Sequence, residues 1–463
     1  MKYLITGLLF ICCCTAMAAI ARAGEEAMVP PPDLADVKVL DLETAQRIAL
    51  QSNPDMAAAQ ARIEQARARV REAVAAWWPS IDLTATGSRI RRSDSAYAVA
   101  RFFPSISGQS TDRIYDQSAA SLQATWVLFD GFFRSFRQQQ AEFGEKTQAA
   151  ARREAQRQLV SAVAEAFFNA QLAQTKVDIA SADEKFYLRQ LEDARNRYEV
   201  GAGAWGDILN IKVQLNSART ALMLGKREFE AAGYGLAALL GIRDAIFPPD
   251  LKLAPLEKDF DATDPHVDAD ALIKIALQTR PDVRRVEMQL REAEAATGQA
   301  RAAFYPKIQL AGAYNGTRQG DFTLTGEDFG DTISLNMAWN LFSGGADRAR
   351  LFEAKQKRRE AVYSMSSLRN KVASEVRQAL ALLAAAREQV VLQRQSVSLV
   401  EENRDLAKNE YEAGETSLVR LNEAQRDLTT TYGRLAQALV SYHLARQRLL
   451  AATGQNLAPF LKK

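Results

Sequence analysis

The chain contains the same unit twice, and this duplication is the strongest constraint on its fold. The segment IALQSNPD at 48–55 recurs as IALQTRPD at 275–282, an offset of 227 residues. Further along, the pair Leu-Phe at 128–129 recurs at 341–342, an offset of 213 residues that holds to the end of the chain. The first copy therefore carries 14 extra residues between these two blocks. A change of length with both flanks in register marks a surface loop.

The duplication divides the chain into two repeats of about 200 residues and the segments around them. The predicted parts are a signal peptide at 1–23, a linker at 24–40, a first repeat at 41–241, a connection at 242–267, a second repeat at 268–454 and a tail at 455–463. Each repeat is expected to fold in the same way, because the sequence pattern within it is the same.

The first 23 residues have the pattern of a cleaved secretory signal. Lys2 supplies a positive charge, an apolar run covers 4–20, and Ala21-Arg22-Ala23 has the small-x-small pattern that signal peptidase requires. All three cysteines, at 12–14, lie inside this signal, so the mature chain is expected to form no disulfide and no thiolate metal site. Two alternatives stay open: a retained membrane anchor and a lipidated cysteine.

Composition argues against several classes of protein. The formal net charge is +3, and removal of Lys2 and Arg22 with the signal leaves +1, so no nucleic-acid partner is expected. His266 and His443 are interpreted as structural or solvated side chains. With so few histidines and no acidic cluster at ligand spacing, the sequence predicts no metal site, no cofactor and no catalytic residues. We therefore do not expect an enzyme.

Within each repeat the hydrophobic period changes from helical to strand-like and back. Residues 41–76 have a helical pattern with a turn at Asn53-Pro54, and Pro79 ends it. Apolar and polar residues then alternate over hairpins at about 80–129 and 307–342. Strands of roughly ten residues with one apolar and one polar face are what a membrane β-barrel requires. A half-buried hairpin of a soluble sheet is the alternative.

Aromatic residues cluster at the ends of the predicted strands, where they resemble the interfacial girdle of an outer-membrane barrel. These predicted membrane-interface residues are Trp77, Trp78, Trp126, Phe129, Phe304, Tyr305, Trp339 and Phe342. The strands are joined by polar segments at about 90–119 and 318–330, which we expect to be loops outside the cell. Both features favour the membrane interpretation over the soluble sheet.

A very long helix is predicted in each repeat. Beyond Gly131 a helical pattern lasts about 70 residues, which at 1.5 Å per residue is about 100 Å. Apolar residues recur with 4-3 spacing over 159–198, and again over 372–411. Such a 3.5-residue repeat indicates a coiled coil. Each long helix is expected to end near a glycine, Gly201 or Gly414, from which a second helix returns.

The four predicted strands cannot close a barrel by themselves, and open sheet edges in a bilayer leave unpaired backbone groups. Cyclic association is the simplest remedy, since three copies supply twelve strands. The predicted fold is therefore mainly α with a β-barrel. Each chain contributes a duplicated unit of two short helices, a hairpin and a long helical pair.

The order of these elements resembles the TolC family of outer-membrane efflux and secretion channels. The resemblance rests on Ala-Leu-x-x-x-Pro-Asp at 49–55 and 276–282, Leu-Phe-x-Gly at 128–131 and 341–344, and Tyr-Glu-x-Gly at 198–201 and 411–414. It implies a homotrimer whose twelve-stranded barrel lies in outer-membrane lipid and whose α-helical coiled-coil barrel extends into the periplasm. The implied function is the exit duct of a tripartite efflux or type I secretion system, without a cofactor. The implied partners are a periplasmic adaptor (membrane fusion) protein and an inner-membrane pump or ABC transporter.

The resemblance also implies a gate at the periplasmic end. Tyr411 and Asp207 match a tyrosine and an aspartate that hold the helical tips closed in the family, whereas Thr416 stands where a known member has an arginine. Glu423 matches one of two aspartate rings that narrow the lumen, and Arg420 stands at the other. We expect three copies of Arg420 and Glu423 to form an ion-pair ring with a weak preference for cations. Solvated charges on a helix face are the alternative.

The helical tips are the predicted adaptor contacts, through Gly201, Trp205, Gly414, Ser417 and Leu418. For Trp205 a packing role is the alternative. For the whole protein the rival interpretation is a structural periplasmic coiled-coil protein without channel activity, which explains the heptads but not the strand-like hairpins. The exported cargo, whether drug, metal or protein, does not follow from the sequence.

Overall fold

A computed structural model describes residues 38–102, 112–248, 251–257, 268–320 and 322–460 of the 463-residue chain. The predicted signal peptide, most of the linker and His266 lie outside the described residues. Much of the predicted connection, part of the first polar loop and the end of the tail also lie outside them. The described residues belong to a single chain.

The two repeats contain the same elements in the same order, except that the first repeat has an additional short helix between its two long strands. The first comprises α1 (Leu42–Ser52), α2 (Pro54–Ala75), β2 (Ser80–Arg91), α3 (Asp94–Phe102), β3 (Ile114–Phe129), α4 (Phe133–Glu199) and α5 (Trp205–Leu239), preceded by β1 (Val39–Leu40). The second comprises α6 (Ala269–Thr279), α7 (Pro281–Arg301), β5 (Lys307–Gln319), β6 (Phe329–Ala338), α8 (Ala346–Ala413) and α9 (Leu418–Ala452), preceded by β4 (Lys252–Leu253). Short 3-10 turns occur at Arg243–Ala245, Ala302–Phe304, Gly326–Asp328 and Gln455–Phe460.

The predicted turn between the two short helices is confirmed, and Asn53 forms it. Its side-chain oxygen accepts a hydrogen bond from the Asp55 amide at 2.8 Å, which caps the start of α2. Pro54 follows as the first helical residue, where its missing N–H is not needed. In the same way Asp41 caps α1 by accepting from the Thr44 amide at 2.7 Å.

The strands form one four-stranded antiparallel sheet in the order β2-β3-β5-β6. Leu83 pairs with Leu122, Trp126 with Leu310, and Leu310 with Leu335, so the two hairpins are joined through β3 and β5. Strands β2 and β6 lie at the two edges. A second, two-stranded parallel sheet pairs β1 with β4 and ties the start of the first repeat to the start of the second.

Two details of the hairpins differ from the sequence prediction. The first polar segment was expected to be a loop, but it contains α3, whose start is capped by Ser93 through the Ala96 amide at 3.3 Å. The last strand ends at Ala338, so Trp339 and Phe342 lie beyond the sheet. Ala338 pairs with Lys307, the first residue of the partner strand. The residue before Lys307 is a proline, which has no N–H to donate, so the pairing cannot continue beyond Ala338.

The long helices α4 and α8 have 67 and 68 residues, as the heptad pattern predicts. The predicted seam residues Val163, Ala170, Val376 and Val390 are buried, because α4 packs along α5 and α8 packs along α9. Within the described residues, no helix has both the length and the apolar character needed to cross a membrane.

The largest buried cluster lies where the repeats meet near the start of α1. It brings together residues of β1, α1, α4, α5 and α9, including Leu40, Ile48, Phe167, Leu236 and Val440. Because this core joins both repeats to the parallel β1–β4 pair, it holds the two helical hairpins side by side. The strands directly precede the starts of α4 and α8, whereas the helical tips follow their ends, so the sheet and the tips lie at opposite ends of the long helices.

Candidate functional site

One face of the four-stranded sheet is apolar, and it is exposed to the surroundings in the single chain. Ile81 is 70% exposed, Ile333 79% and Leu335 66%, although all three are large apolar side chains. The register aligns them with Ala124, Gly312 and Leu310 of the neighbouring strands. Soluble monomers rarely expose a continuous apolar surface of this kind, so this face requires a covering.

The opposite face of the sheet is polar. The residues that alternate with the apolar ones include Asp82, Thr84, Gln123, Asn315 and Asn336. They bond across and along the strands: Ser121 donates to Asn315, and Asn336 donates to Ser334 at 3.1 Å. The sheet therefore has one uncovered apolar face and one polar face.

The predicted interface aromatics gather at one end of the strands, where the sheet meets the long helices. They precede β2 and β5, lie in the last residues of β3 and follow β6, and these neighbouring strands run in opposite directions, which brings the residues together. Trp78 is 75% exposed and Phe342 85%. The structure therefore brings the eight predicted residues to one level of the molecule.

Two of these tryptophans make the same hydrogen bond in the two repeats. The indole N–H of Trp126 donates to the Trp77 carbonyl at 3.0 Å, and that of Trp339 donates to the Phe304 carbonyl at 3.2 Å. Trp126 and Trp339 are equivalent positions of the duplication, as are Trp77 and Phe304. The repeated bond fixes each strand end to the end of the preceding short-helix pair.

The sequence reasoning missed a buried polar position beside these aromatics. Arg134 bonds the Asp130 carboxylate at 2.9 Å, and its guanidinium lies 4.5 Å from the centre of the Trp77 ring. The equivalent residue of the second repeat is Asp347, which accepts from Ser343 at 2.5 Å and from Asn340 at 3.3 Å. Aligning the two repeats residue by residue shows this reversal of charge, and that signal was available in the sequence.

At the other end of the molecule, the residues of the predicted gate lie at the two helical tips. Tyr411 is half-buried, and the guanidinium of Arg197 lies 5.1 Å from the centre of its ring. Burial raises the pKa of the Tyr411 hydroxyl, Arg197 lowers it, and the carboxylates of Asp207 and Asp193 raise it, with a net increase. In the described part of the chain, Tyr411 and Asp207 are near each other but form no hydrogen bond.

The predicted constriction residues Arg420 and Glu423 lie one turn apart on α9 and are both exposed. Arg420 donates to the side-chain oxygen of Asn403 on α8 at 3.0 Å. Among the described residues of one chain, Arg420 forms no ion pair with Glu423. The predicted ring requires three chains, and it stays a prediction.

The predicted adaptor contacts divide into exposed and buried residues. Gly201 and Gly414 have φ of 75° and 79°, a left-handed conformation that lets each long helix end and the chain reverse. Trp205 is 52% exposed, beside the Tyr198 ring at 5.4 Å. Ser417 caps α9, but Leu418 is only 4% exposed and packs against the first tip. This burial removes the Leu418 side chain from the predicted contact surface.

The described histidine has a structural environment. His443 is buried and stacks on Phe168, with ring centres 5.1 Å apart, and burial lowers its pKa. Over the residues that the structure describes, no three His, Cys, Asp or Glu side chains converge as a metal site would require.

Comparison with known proteins gives matches over most of the chain. The family model described as "Outer membrane efflux protein" matches residues 46–242 and 272–455, which correspond to the two repeats. The solvent efflux pump outer membrane protein SrpC of Pseudomonas putida is 27% identical over 423 residues, covering 90% of this chain and 84% of SrpC. The cation efflux system protein CusC of Escherichia coli O157:H7 is 25% identical over 412 residues, covering 86% of this chain and 82% of CusC.

The fold is also that of solved structures. A crystal structure of CusC superposes with a TM-score of 0.76 at 21% identity, covering 92% of this chain and 97% of that one. The similarity therefore extends over both the sheet and the long helices.

Proposed function

This chain belongs to the outer membrane efflux protein family, and from that premise we propose that it is the exit duct of a tripartite efflux or type I secretion system in the outer membrane. The observation that carries the proposal is the sheet with one exposed apolar face and one polar face. Lipid covers the first face and water fills the space beside the second. The chain acts as a passive channel and not as an enzyme, because passage of cargo through such a lumen breaks no bond.

The channel is closed by association of three chains. In one chain β2 and β6 have an unpaired edge, and such edges cost several kcal/mol per backbone group in lipid. Pairing β6 of one copy with β2 of the next satisfies both edges, and three copies give a closed barrel of twelve strands. The edge strands have 12 and 10 residues, close to the length of about 9–11 that a tilted strand needs to span a bilayer.

The long helices offer a matching surface for a second copy. Leu392, Leu399 and Leu406 follow one another at heptad spacing on α8 and are 61%, 68% and 56% exposed. On α5, Leu209 and Val213 are exposed as well. A heptad stripe that is exposed in one chain supports packing against a helix of the neighbouring chain, which would extend the barrel as a coiled-coil tube into the periplasm.

The tips of this tube are the proposed contact with a periplasmic adaptor coupled to an inner-membrane pump or ABC transporter. An exposed tryptophan at a turn, Trp205, supports this contact, since tryptophan is frequent among residues that dominate binding energy. Asp207, Tyr411, Arg420 and Glu423 are the proposed gate and constriction. SrpC is named for solvents and CusC for cations, so we propose that the inner-membrane partner selects the cargo.

Reconstitution of the full-length protein in planar bilayers tests the duct. We expect heat-modifiable trimers that need detergent for extraction and that conduct ions across the bilayer. A protein that is soluble without detergent and does not conduct would instead be the structural coiled-coil protein.

A matched pair of neighbouring residues on β6 tests the assignment of the two faces. Ile333→Arg places a charge on the proposed lipid face near mid-strand, where it costs about 2–4 kcal/mol, and we expect trimers to be lost. Thr332→Arg places the same charge on the proposed lumen face, and trimers should persist. Equal tolerance of both variants would contradict the lipid assignment.

The proposed ring of Arg420 and Glu423 predicts a weak preference for cations. The reversal potential of single channels in a salt gradient measures it. A strong preference for cations in the natural protein would contradict the ring.

A further inference from the structure

The two helical tips of one chain touch each other through a cation and an aromatic ring. We propose that Arg197, at the tip of the first repeat, is a positioning residue that holds the tip of the second repeat closed through the face of the Tyr411 ring. This inference rests on the proposed function, because closure has meaning only for a channel.

The geometry of the contact fits a cation–π interaction. Arg197 lies in the last turn of α4, and its guanidinium is 5.1 Å from the centre of the Tyr411 ring, inside the limit of about 6 Å for such contacts. Its own backbone is anchored, because the Arg197 carbonyl accepts from the Ala202 amide at 2.8 Å. Among the described residues Arg197 makes no ion pair, and its guanidinium lies against the Tyr411 ring.

The ring face of Tyr411, rather than its hydroxyl, makes the contact with the first repeat. The side chain packs against a buried cluster of the first tip that includes Tyr187, Leu191 and Ile208. Its hydroxyl forms no hydrogen bond with Asp207 in the described chain. The carboxylates of Asp193 and Asp207 lie near this ring and favour a cation beside it.

The contact exists in one direction only, which makes the two tips unequal. The duplication places Glu410 at the position of Arg197, and Tyr198 at the position of Tyr411. Tyr198 instead packs on Trp205 of its own tip, with ring centres 5.4 Å apart. Among the described residues, the second repeat is thus held through a ring by the first and not the reverse. Release of this contact loosens the second tip, which keeps its packing through Leu418, while the first tip keeps its own packing.

Four variants distinguish the ring face from the hydroxyl group. Arg197→Gln removes the cation and Tyr411→Leu removes the ring, whereas Arg197→Lys keeps a cation and Tyr411→Phe keeps a ring without a hydroxyl. We expect the first two to raise the open fraction in planar bilayers by roughly three- to tenfold, since a contact of this kind shifts a two-state equilibrium by about that factor. The second two should stay near the natural protein.

A matched control and an independent readout complete the test. Arg195→Gln removes an exposed arginine from the same turn and should leave the open fraction unchanged. Hydrogen exchange of the amides in 411–421 should accelerate in Arg197→Gln but not in Arg197→Lys. The proposal is overturned if Arg197→Gln behaves like the natural protein, or if Tyr411→Phe opens the channel as fully as Tyr411→Leu. A natural protein that never conducts would instead contradict the proposed duct.

Discussion

The turns at Asn53 and Arg280 occupy the same place in the two repeats, yet different chemistry stabilises them. Each side chain donates to the carbonyl near the end of the returning helix: Asn53 to Leu239 at 3.0 Å, and Arg280 to Ala452 at 3.0 Å. Asn53 also caps the following helix. Arg280 has no acceptor oxygen and cannot cap, and it is buried with only 2% of its surface exposed.

The arginine is tolerated because carboxylates surround it. Asp282 accepts two of its N–H groups, at 2.7 and 3.0 Å, and Glu375 of α8 accepts another at 2.6 Å. Burial by itself lowers the pKa of Arg280, but these two carboxylates outweigh it and raise the pKa above its usual value. A neutral amide can thus serve the turn with backbone partners alone, whereas a buried charge needs charged partners, and one of them, Glu375, comes from a distant helix.

The largest difference between the two turns should appear on truncation. Arg280→Ala leaves the buried Asp282 without its partner, and we expect it to lower the free energy of unfolding by about 3–5 kcal/mol. Asn53→Ala removes a cap and one hydrogen bond and should lower it by about 1–2 kcal/mol. Urea unfolding followed by helical circular dichroism compares them. Equal losses would show that the Arg280 network adds nothing beyond the amide.

The glycines that close these turns should differ next. Gly241 and Gly454 both have positive φ, at 73° and 74°. A Cβ at Gly241 would lie 2.4 Å from the Ser52 carbonyl oxygen, whereas one at Gly454 would meet its nearest atom, the Thr279 hydroxyl oxygen, at 3.0 Å. We expect Gly241→Ala to cost about 3 kcal/mol, from backbone strain and the clash, and Gly454→Ala about 1–2 kcal/mol, from strain. The same unfolding assay measures both losses. A larger loss for Gly454→Ala than for Gly241→Ala would contradict this difference in packing.

The smallest expected difference depends on pH. Burial by itself raises the pKa of Asp282, but the hydrogen bonds and charge of Arg280 lower it by a larger amount. The pKa of Asp282 therefore lies below the usual 3.8. The carboxylate therefore stabilises the fold at neutral pH, and this contribution fades as the pH falls below 3.8 through the folded-state pKa. We expect Asp282→Asn to destabilise the protein by about 2 kcal/mol at pH 7 and progressively less in acid.

A matched control for this variant is Asp55→Asn, in the equivalent and exposed position of the first repeat. It should change stability by only about 0.5 kcal/mol, through the helix dipole. If the Asp282→Asn loss were the same at low and neutral pH, the ion pair would not be its source.

Local pattern was a sound guide to the secondary structure and to the buried face of the long helices. The heptads predicted the burial of Val163 and Val376, and the Asn-Pro pair predicted the turn at Asn53. The short α3 was missed because its segment lacks the length and periodicity that identify a helix. The last strand was extended too far because alternation continues through Trp339, although no partner strand is available there.

The sequence by itself determined the duplication, the apolar and polar faces of the sheet and the length of the long helices, because each is a repeated spacing along one segment. Only the tertiary structure decided that Leu418 is buried, that Glu375 reaches Arg280, and that Arg197 meets Tyr411. These partners are far apart along the chain and on different elements. Their contacts follow from how distant elements pack together, which no periodicity along the sequence specifies.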